Sequence, residues 1–216
     1  MTPLVETAIA GFFDAHWDRH YAAAKLRTDP LYTALARDLR GSTLPLLDVG
    51  CGIGLSAFFL RARGMEFPIH GLDYDPRKIR SATRAVERAG LPGVTFAPHD
   101  ARGGLPQHRG NVCILDILQF FTPAEQETLL RSAAARVPPG GVLLVRSGIR
   151  DDSWRFKTTV AGDLLAKATR WMKAPPTHYP TRADFERILT EFGDLEITPL
   201  WGKTPFNNHW IRIRKN

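Results

Sequence analysis

The chain has 216 residues, a formal charge of +7 and a 44% hydrophobic content, which suits one α/β domain with or without a small insert and allows a sizeable core. Its two cysteines, Cys51 and Cys113, form no C-x-x-C pair, so neither a zinc site nor a disulfide framework is signalled. The excess of 29 Lys and Arg over 22 Asp and Glu points to an acidic partner (nucleic acid, an anionic membrane surface or an acidic carrier protein) or to a merely basic surface. The opening MTPLVETAIAGFFDAHWDRH carries acids and has no cationic start before an apolar run, unlike a secretory signal. No stretch approaches the roughly 20 apolar residues of a membrane span, so a reducing cytoplasm is the expected compartment.

In chain order, Ile9, Phe13, Trp17 and Tyr21 recur every fourth residue and predict one helix with an aromatic stripe. A second helix follows, with Asp29 as cap, Pro30 in the first turn, Leu31, Leu35 and Leu39 on one face and Gly41 as the stop. Strand and helix then alternate. PLLDV reads as a buried strand, SAFFLRAR as a helix and PIHGLDY as a strand; Asp75-Pro76 opens a helix with Ile79, Ala82 and Val86 inward. VTFAPHD and VCILDIL are the next strands. Thr122-Pro123-Ala124-Glu125 is a capping box whose helix buries Leu129, Leu130, Ala133 and Val137. GVLLVRSGI is a fifth strand, Thr181 to Phe192 a helix, and LEITPLW and NHWIRIR two closing strands too close together for a helical crossover. Parallel strands joined by right-handed helical crossovers are expected, with antiparallel pairing at the C-terminus. The stretch at about 150–180 reads as an insert with one helix, WRFKTTVAGDLLAKATRWM, and a Pro-rich loop.

The sharpest motif is Asp48-Val49-Gly50-Cys51-Gly52-Ile53-Gly54, between a buried strand and a helix. Glycine permits the tight turn and a close ligand approach, and a following helix offers unpaired N–H groups to an anionic ligand end. The dinucleotide pattern G-x-G-x-x-G fails, because Leu55 stands where the third glycine belongs. Asp73 ends the second strand about 20 residues further on, where a carboxylate can take both hydroxyls of a ribose.

This D-x-G-x-G-x-G, with acids at the next two strand ends, resembles motif I and its neighbours in class I S-adenosylmethionine-dependent methyltransferases. The resemblance covers about residues 44 to 145, and the two closing strands also fit. It implies a Rossmann-like, seven-stranded, mostly parallel sheet with an antiparallel C-terminal strand and helices on both faces. Residues 1–43 would form a helical cap and 44–216 the methyltransferase domain. S-adenosylmethionine (SAM) is the implied cofactor, leaving as S-adenosylhomocysteine. Asp48 would orient the methionine amine, and the loop Gly50, Cys51, Gly52 and Gly54 would pass beneath ribose and methionine. Asp73 would hold the ribose, Tyr74 would pack on the adenine, and Asp100-Ala101 would reach its amino group. The N-terminal aromatic helix is expected to close over the cofactor, with Trp17 or Tyr21 near it and Lys25 facing the methionine carboxylate.

Leu115-Asp116-Ile117-Leu118-Gln119-Phe120-Phe121 looks like the family's motif IV, whose strand end faces the transferred methyl. It lacks the Asn/Asp-Pro-Pro-Tyr/Phe tetrapeptide of nucleic-acid amino methyltransferases and the Pro-Cys nucleophile of cytosine enzymes. Several small-molecule members carry a histidine where this chain has Gln119, which takes no proton at neutral pH. Asp116 is either a charged group at the mouth of the site or a salt-bridged strand-end acid. His178 and Tyr179 come from the later loop as further catalytic candidates. Trp154, Phe156, Trp171 and Met172 beside Arg155, Lys157 and Arg170 suit an amphipathic or aromatic acceptor with negative charge. Asn207 and Asn208, in the loop between the last strands, are expected near it. With SWRFKTT and HYPTR, that loop resembles methyltransferases that accompany bacterial aryl-polyene and polyketide-like assembly genes.

The acceptor expected is thus a small phenolic or acyl molecule, free or on an acidic acyl carrier protein. A nucleic-acid or protein methyltransferase, favoured by the charge alone, and a non-catalytic SAM-binding partner subunit are the alternatives.

Overall fold

The computed structural model describes residues 5–168 and 178–215. Its strands form one seven-stranded sheet of order β3-β2-β1-β4-β5-β7-β6. Two compact units divide the chain, Met1–Ala101 and Arg102–Asn216.

The first unit holds α1 (Val5–Gly11), α2 (His16–Thr28), α3 (Leu31–Asp38), β1 (Leu46–Val49), α4 (Leu55–Ala62), β2 (Ile69–Asp73), α5 (Pro76–Ala89) and β3 (Val94–Pro98). β1 pairs parallel with β2, Leu46 opposite Ile69, and β2 with β3, Ile69 opposite Val94. All four residues of β1 are buried, as a strand covered on both faces must be. Asp75 caps α5 by accepting the Arg77 amide at 3.0 Å, ahead of Pro76 in the first turn. Asp29 likewise accepts the Leu31 amide at 3.0 Å at the start of α3.

The single aromatic helix expected at the N-terminus is two helices. α1 ends at Gly11 and α2 begins at His16, with Phe13 fully buried between them and tilted against Phe58 at 5.4 Å. Arginines take up the carbonyls released by the break: Arg88 donates to Phe12 O, and Arg19 Nε to Phe13 O at 2.6 Å. A four-residue spacing across the break no longer shares one face, so Trp17 stays 60% exposed. α1, α2 and α3 all pack on α4, within the first unit.

The second unit holds β4 (Asn111–Leu115), α6 (Pro123–Arg136), β5 (Val142–Gly148), α7 (Trp154–Ala168), α8 (Arg182–Leu189), β6 (Asp194–Pro199) and β7 (Asn208–Arg214). β4 and β5 are parallel, and β7 pairs antiparallel with both β5 and β6. The expected capping box of Thr122 with Glu125 is present, and Thr181 forms a second one with Asp184. α7 opens the insert where a helix was expected; Arg170, Trp171 and Met172 lie outside the described residues.

Candidate active site

The carboxyl end of β1 turns on backbone alone. Gly50, Gly52 and Gly54 all have positive φ, at 80°, 60° and 80°, a region open to glycine and strained for most L-residues. The Gly50 and Cys51 amides both donate to Leu72 O, at 2.7 and 2.9 Å, and lock the turn to β2. A Cβ on Gly54 would fall 2.4 Å from the Phe96 ring, whereas one on Gly52 would meet nothing within 4 Å. One glycine serves close packing, and the other leaves a face open to a ligand.

Asp73 at the end of β2 is held from two sides. Its Oδ2 accepts the Gly52 amide at 2.9 Å and its Oδ1 the Asp75 amide at 2.8 Å. Both oxygens are thereby fixed in direction and keep further lone pairs. Asp48 is 1% exposed at the end of β1. Burial, followed by the charges of Asp48 and Asp73, pushes the Cys51 thiol well above its ordinary range, so it stays a neutral thiol in the turn. Tyr74 is 57% exposed beyond Asp73, Asp100 is exposed and Ala101 half-buried. Half-buried Tyr21 and Lys25 follow on α2, where Lys25 Nζ pairs with Asp29 at 3.2 Å. An open glycine face beside a pre-aligned carboxylate fits the ribose and methionine portions of SAM.

In the second unit Leu115 is buried at the end of β4. Asp116, next in the chain, has φ 61°, the only positive value off glycine among the described residues. Such backbone costs of order 1–3 kcal/mol and persists only where the surroundings impose it. Here Arg146 of β5 imposes it. Its Nε donates to Asp116 Oδ1 at 2.6 Å and its Nη2 to Oδ2, from a side chain only 4% exposed. Of the two roles open to Asp116, the geometry has the salt-bridged strand-end acid. Gln119 is 8% exposed in the turn that follows, and its carbonyl accepts the His178 amide at 3.4 Å. Tyr179 meets Phe156 edge-on at 5.2 Å.

The register Gly148 opposite Asn208 brings the loop before β7 to the carboxyl end of β5. Arg155 of α7 lies between two indoles, 4.8 Å from the Trp154 ring centre and 4.4 Å from that of Trp201, and its Nη1 donates to Thr204 O at 2.7 Å. Trp154 is 61% exposed and Lys157 exposed. Asn207, expected at the acceptor, is 1% exposed. Its Nδ2 donates to Ile149 O and to Asp151 Oδ2, both at 2.8 Å, so its side chain serves the loop. Asn208 is the half-buried first residue of β7. Sequence reasoning passed over Arg146, whose partner Asp116 lies 30 residues away, and a charged residue inside an apolar strand was the one available signal.

A methyltransferase-domain family profile matches residues 46–141. The trans-aconitate 2-methyltransferase of Methylobacterium nodulans is 31% identical over 184 residues, covering 83% of this chain and 69% of that protein. The chain belongs to the class I SAM-dependent methyltransferases. The enzyme of the same name from Methylobacterium radiotolerans is 32% identical over 120 residues, 56% of this chain and 44% of the relative, so the chain spans only part of its relatives' length. Among solved structures, magnesium protoporphyrin IX methyltransferase from Synechocystis, with bound S-adenosylhomocysteine, superposes with a TM-score of 0.64 at 18% identity, over 96% of this chain and 92% of that one. Mitomycin 7-O-methyltransferase gives 0.69 at 21%, over 93% and 56%. These likenesses agree on the fold. Among the described residues no helix is long and apolar enough to cross a membrane.

Proposed function

We propose that this methyltransferase transfers a methyl group from SAM to a small, negatively charged acceptor with a phenolic or acyl group. The observation that carries the acceptor class is Arg155 held between Trp154 and Trp201 at the carboxyl end of β5. A cation flanked by aromatic faces favours a flat or amphipathic anion, and the carboxyl ends of parallel strands are where such sheets bind ligands. The relatives from Methylobacterium are named for an organic acid anion, which points the same way.

When bound, SAM supplies a methyl carbon made electrophilic by its cationic sulfur. The chain's own part is to bind and align. Asp73 takes the ribose hydroxyls, the open face at Gly52 takes the adjoining methionine portion, and Asp48 takes the amine. Tyr74 and Asp100-Ala101 serve the adenine. In the second unit Arg155 draws in the acceptor's charge, and Leu115 and the turn after Asp116 close the end of β4. Alignment of two bound reactants can supply roughly 7–11 kcal/mol of the barrier. Asp116 is engaged by Arg146 through both carboxylate oxygens, and Gln119 takes no proton. A carboxylate or ionised phenol therefore needs least from this site, with His178 and Tyr179 as the remaining groups able to handle a proton.

The test is methyl transfer from labelled SAM to phenolic acids, short-chain and polycarboxylic acids, an acyl carrier protein bearing an aryl group, tRNA and DNA. Label in the small acids or the carrier-bound group supports the reading. Label confined to nucleic acid would replace it with the reading that the +7 charge favours.

A further inference from the structure

One buried amide joins the two parts of the chain that carry the acceptor-side candidates. Gln126, on the first turns of α6, is 4% exposed. Its Nε2 donates to Leu118 O at 2.9 Å and Phe121 O at 3.2 Å, which bracket Gln119 in the turn after β4. It also donates to His178 O at 2.9 Å, 52 residues further along. Two N–H groups serve three carbonyls, so one proton is shared. The His178 amide returns a bond to Gln119 O at 3.4 Å. Beyond it, Tyr179 packs on Phe156, and the Arg150 amide donates to Pro180 O at 2.9 Å.

We propose that Gln126 is a positioning residue for methyl transfer: its amide fixes the His178–Pro180 segment to the turn after β4, and so sets where His178 and Tyr179 stand relative to the acceptor. This rests on the reading of the second unit as the acceptor side. An apolar residue of the same length would take this donor from the Phe121 and His178 carbonyls, leaving Leu118 O the Phe121 amide alone, and a carboxylate would face them with lone pairs. The Gln119 and Arg150 bonds also hold this segment's backbone, so losing the Gln126 amide removes one of its anchors while α6 keeps its own helix bonds. Effects should therefore appear in the transfer step and leave the first unit's cofactor residues unmoved.

Two measurements test this. Hydrogen exchange, which needs no acceptor, compares wild type with Gln126→Met, a variant of similar volume without the donor. Residues 178–181 should exchange at least tenfold faster, with residues 69–75 unchanged. Equal rates at 178–181 overturn the proposal, whatever the acceptor proves to be. Should Gln126→Met lose protection throughout, Gln126→His, which keeps one N–H, replaces it and should show a smaller increase confined to 178–181; no increase there again overturns the proposal.

The second measurement uses the acceptor that wild type methylates best. Gln126→Met should lower kcat by tenfold to a hundredfold while the SAM Kd stays within twofold. In a background of His178→Ala with Tyr179→Phe the same substitution should cost less than threefold, because the groups it positions are gone. A full loss in that background would show that Gln126 acts elsewhere and overturn the proposal. If wild type methylates none of the panel, the proposed function fails on its own, and hydrogen exchange still decides the role of Gln126.

Discussion

The two units hold their functional groups by different means. In the first, backbone does the holding: three glycines with positive φ, and two amides that fix the Asp73 carboxylate. In the second, side chains reach across long sequence separations: Arg146 to Asp116, Gln126 to His178, Asn207 to Ile149 and Arg155 to Thr204. A backbone-built site admits few residue types and leaves a motif. A site built by side-chain staples can be made in many ways and leaves none. On the proposed reading the contrast also divides the chemistry: every SAM-dependent methyl transfer presents the same cofactor, so the cofactor half can be fixed in backbone, whereas acceptors differ and the acceptor half is free to vary.

The largest effect separating the halves is expected at Asp116. Replacing it with Ala leaves the buried Arg146 guanidinium without its carboxylate and keeps a side chain in left-handed backbone. Breaking a buried pair from one side costs about 3–5 kcal/mol. Urea denaturation should show a loss of that order for Asp116→Ala, and a smaller one for Asp116→Gly, which relieves the backbone strain. Equal losses would mean that strain plays no part at φ 61°.

Asp73→Ala should come next and act on cofactor binding. A hydrogen bond to a charged group is worth about 1.5–3 kcal/mol, so SAM affinity should fall by roughly tenfold to a hundredfold. Calorimetry of the variant against wild type measures this. Unchanged affinity would remove Asp73 from the cofactor site and leave it as a brace for the Gly52 turn.

Arg155→Ala should do the reverse: a several-fold rise in acceptor KM with SAM binding intact. Cation–aromatic stacking is worth about 0.5–2 kcal/mol, to which the lost attraction for the acceptor's charge adds. Weaker SAM binding with an unaltered acceptor KM would move Arg155 out of the acceptor half.

The same contrast explains what could be read from the sequence. The strand–helix alternation, the antiparallel closing pair and the caps at Asp75 and Thr122 are local signals, and each appears where its residues stand. The glycine turn and its tie to Asp73 were legible as local geometry, because a turn sets their spacing. The N-terminal helix was misread because periodicity is blind to a break: Ile9 and Phe13 keep the spacing of Trp17 and Tyr21, while Gly11 ends α1. Asn207 was assigned to the acceptor because an Asn in an aromatic loop looks available. That its amide is spent on Ile149 and Asp151 depends on where β5 ends beside β7. Arg146 and Gln126 could be seen as polar residues at apolar positions, but their partners lie 30 and 52 residues away.

The smallest effect expected lies in the pH dependence of the second unit. His209 of β7 stands edge-on to Trp201 at 6.1 Å, with Nδ1 3.1 Å from Asn207 O. Burial is the main influence on it and disfavours the charged ring. The Asn207 carbonyl and the Asp151 charge oppose this, Arg182 adds to it, and the net result is a pKa below the ordinary imidazole value. In the window between the ordinary value of about 6.5 and the lower folded value, the unfolded chain binds more protons than the folded protein. Stability should therefore fall as pH is lowered through that window, and the contribution should level off once the folded ring is also protonated. Protonation places a cation beside Trp201 and within the field of Arg182, so the loop before β7 should loosen first. Chemical denaturation at a series of pH values should give a shallower slope for His209→Gln than for wild type between pH of about 6.5 and 5. Protection of residues 200–207 from hydrogen exchange, taken relative to the intrinsic rate at each pH, should fall on acidification in wild type alone. Identical slopes for the two proteins would remove His209 as a source of acid sensitivity, since Asp151 and Asp184, held below the ordinary carboxylate range, lose their contribution only at lower pH.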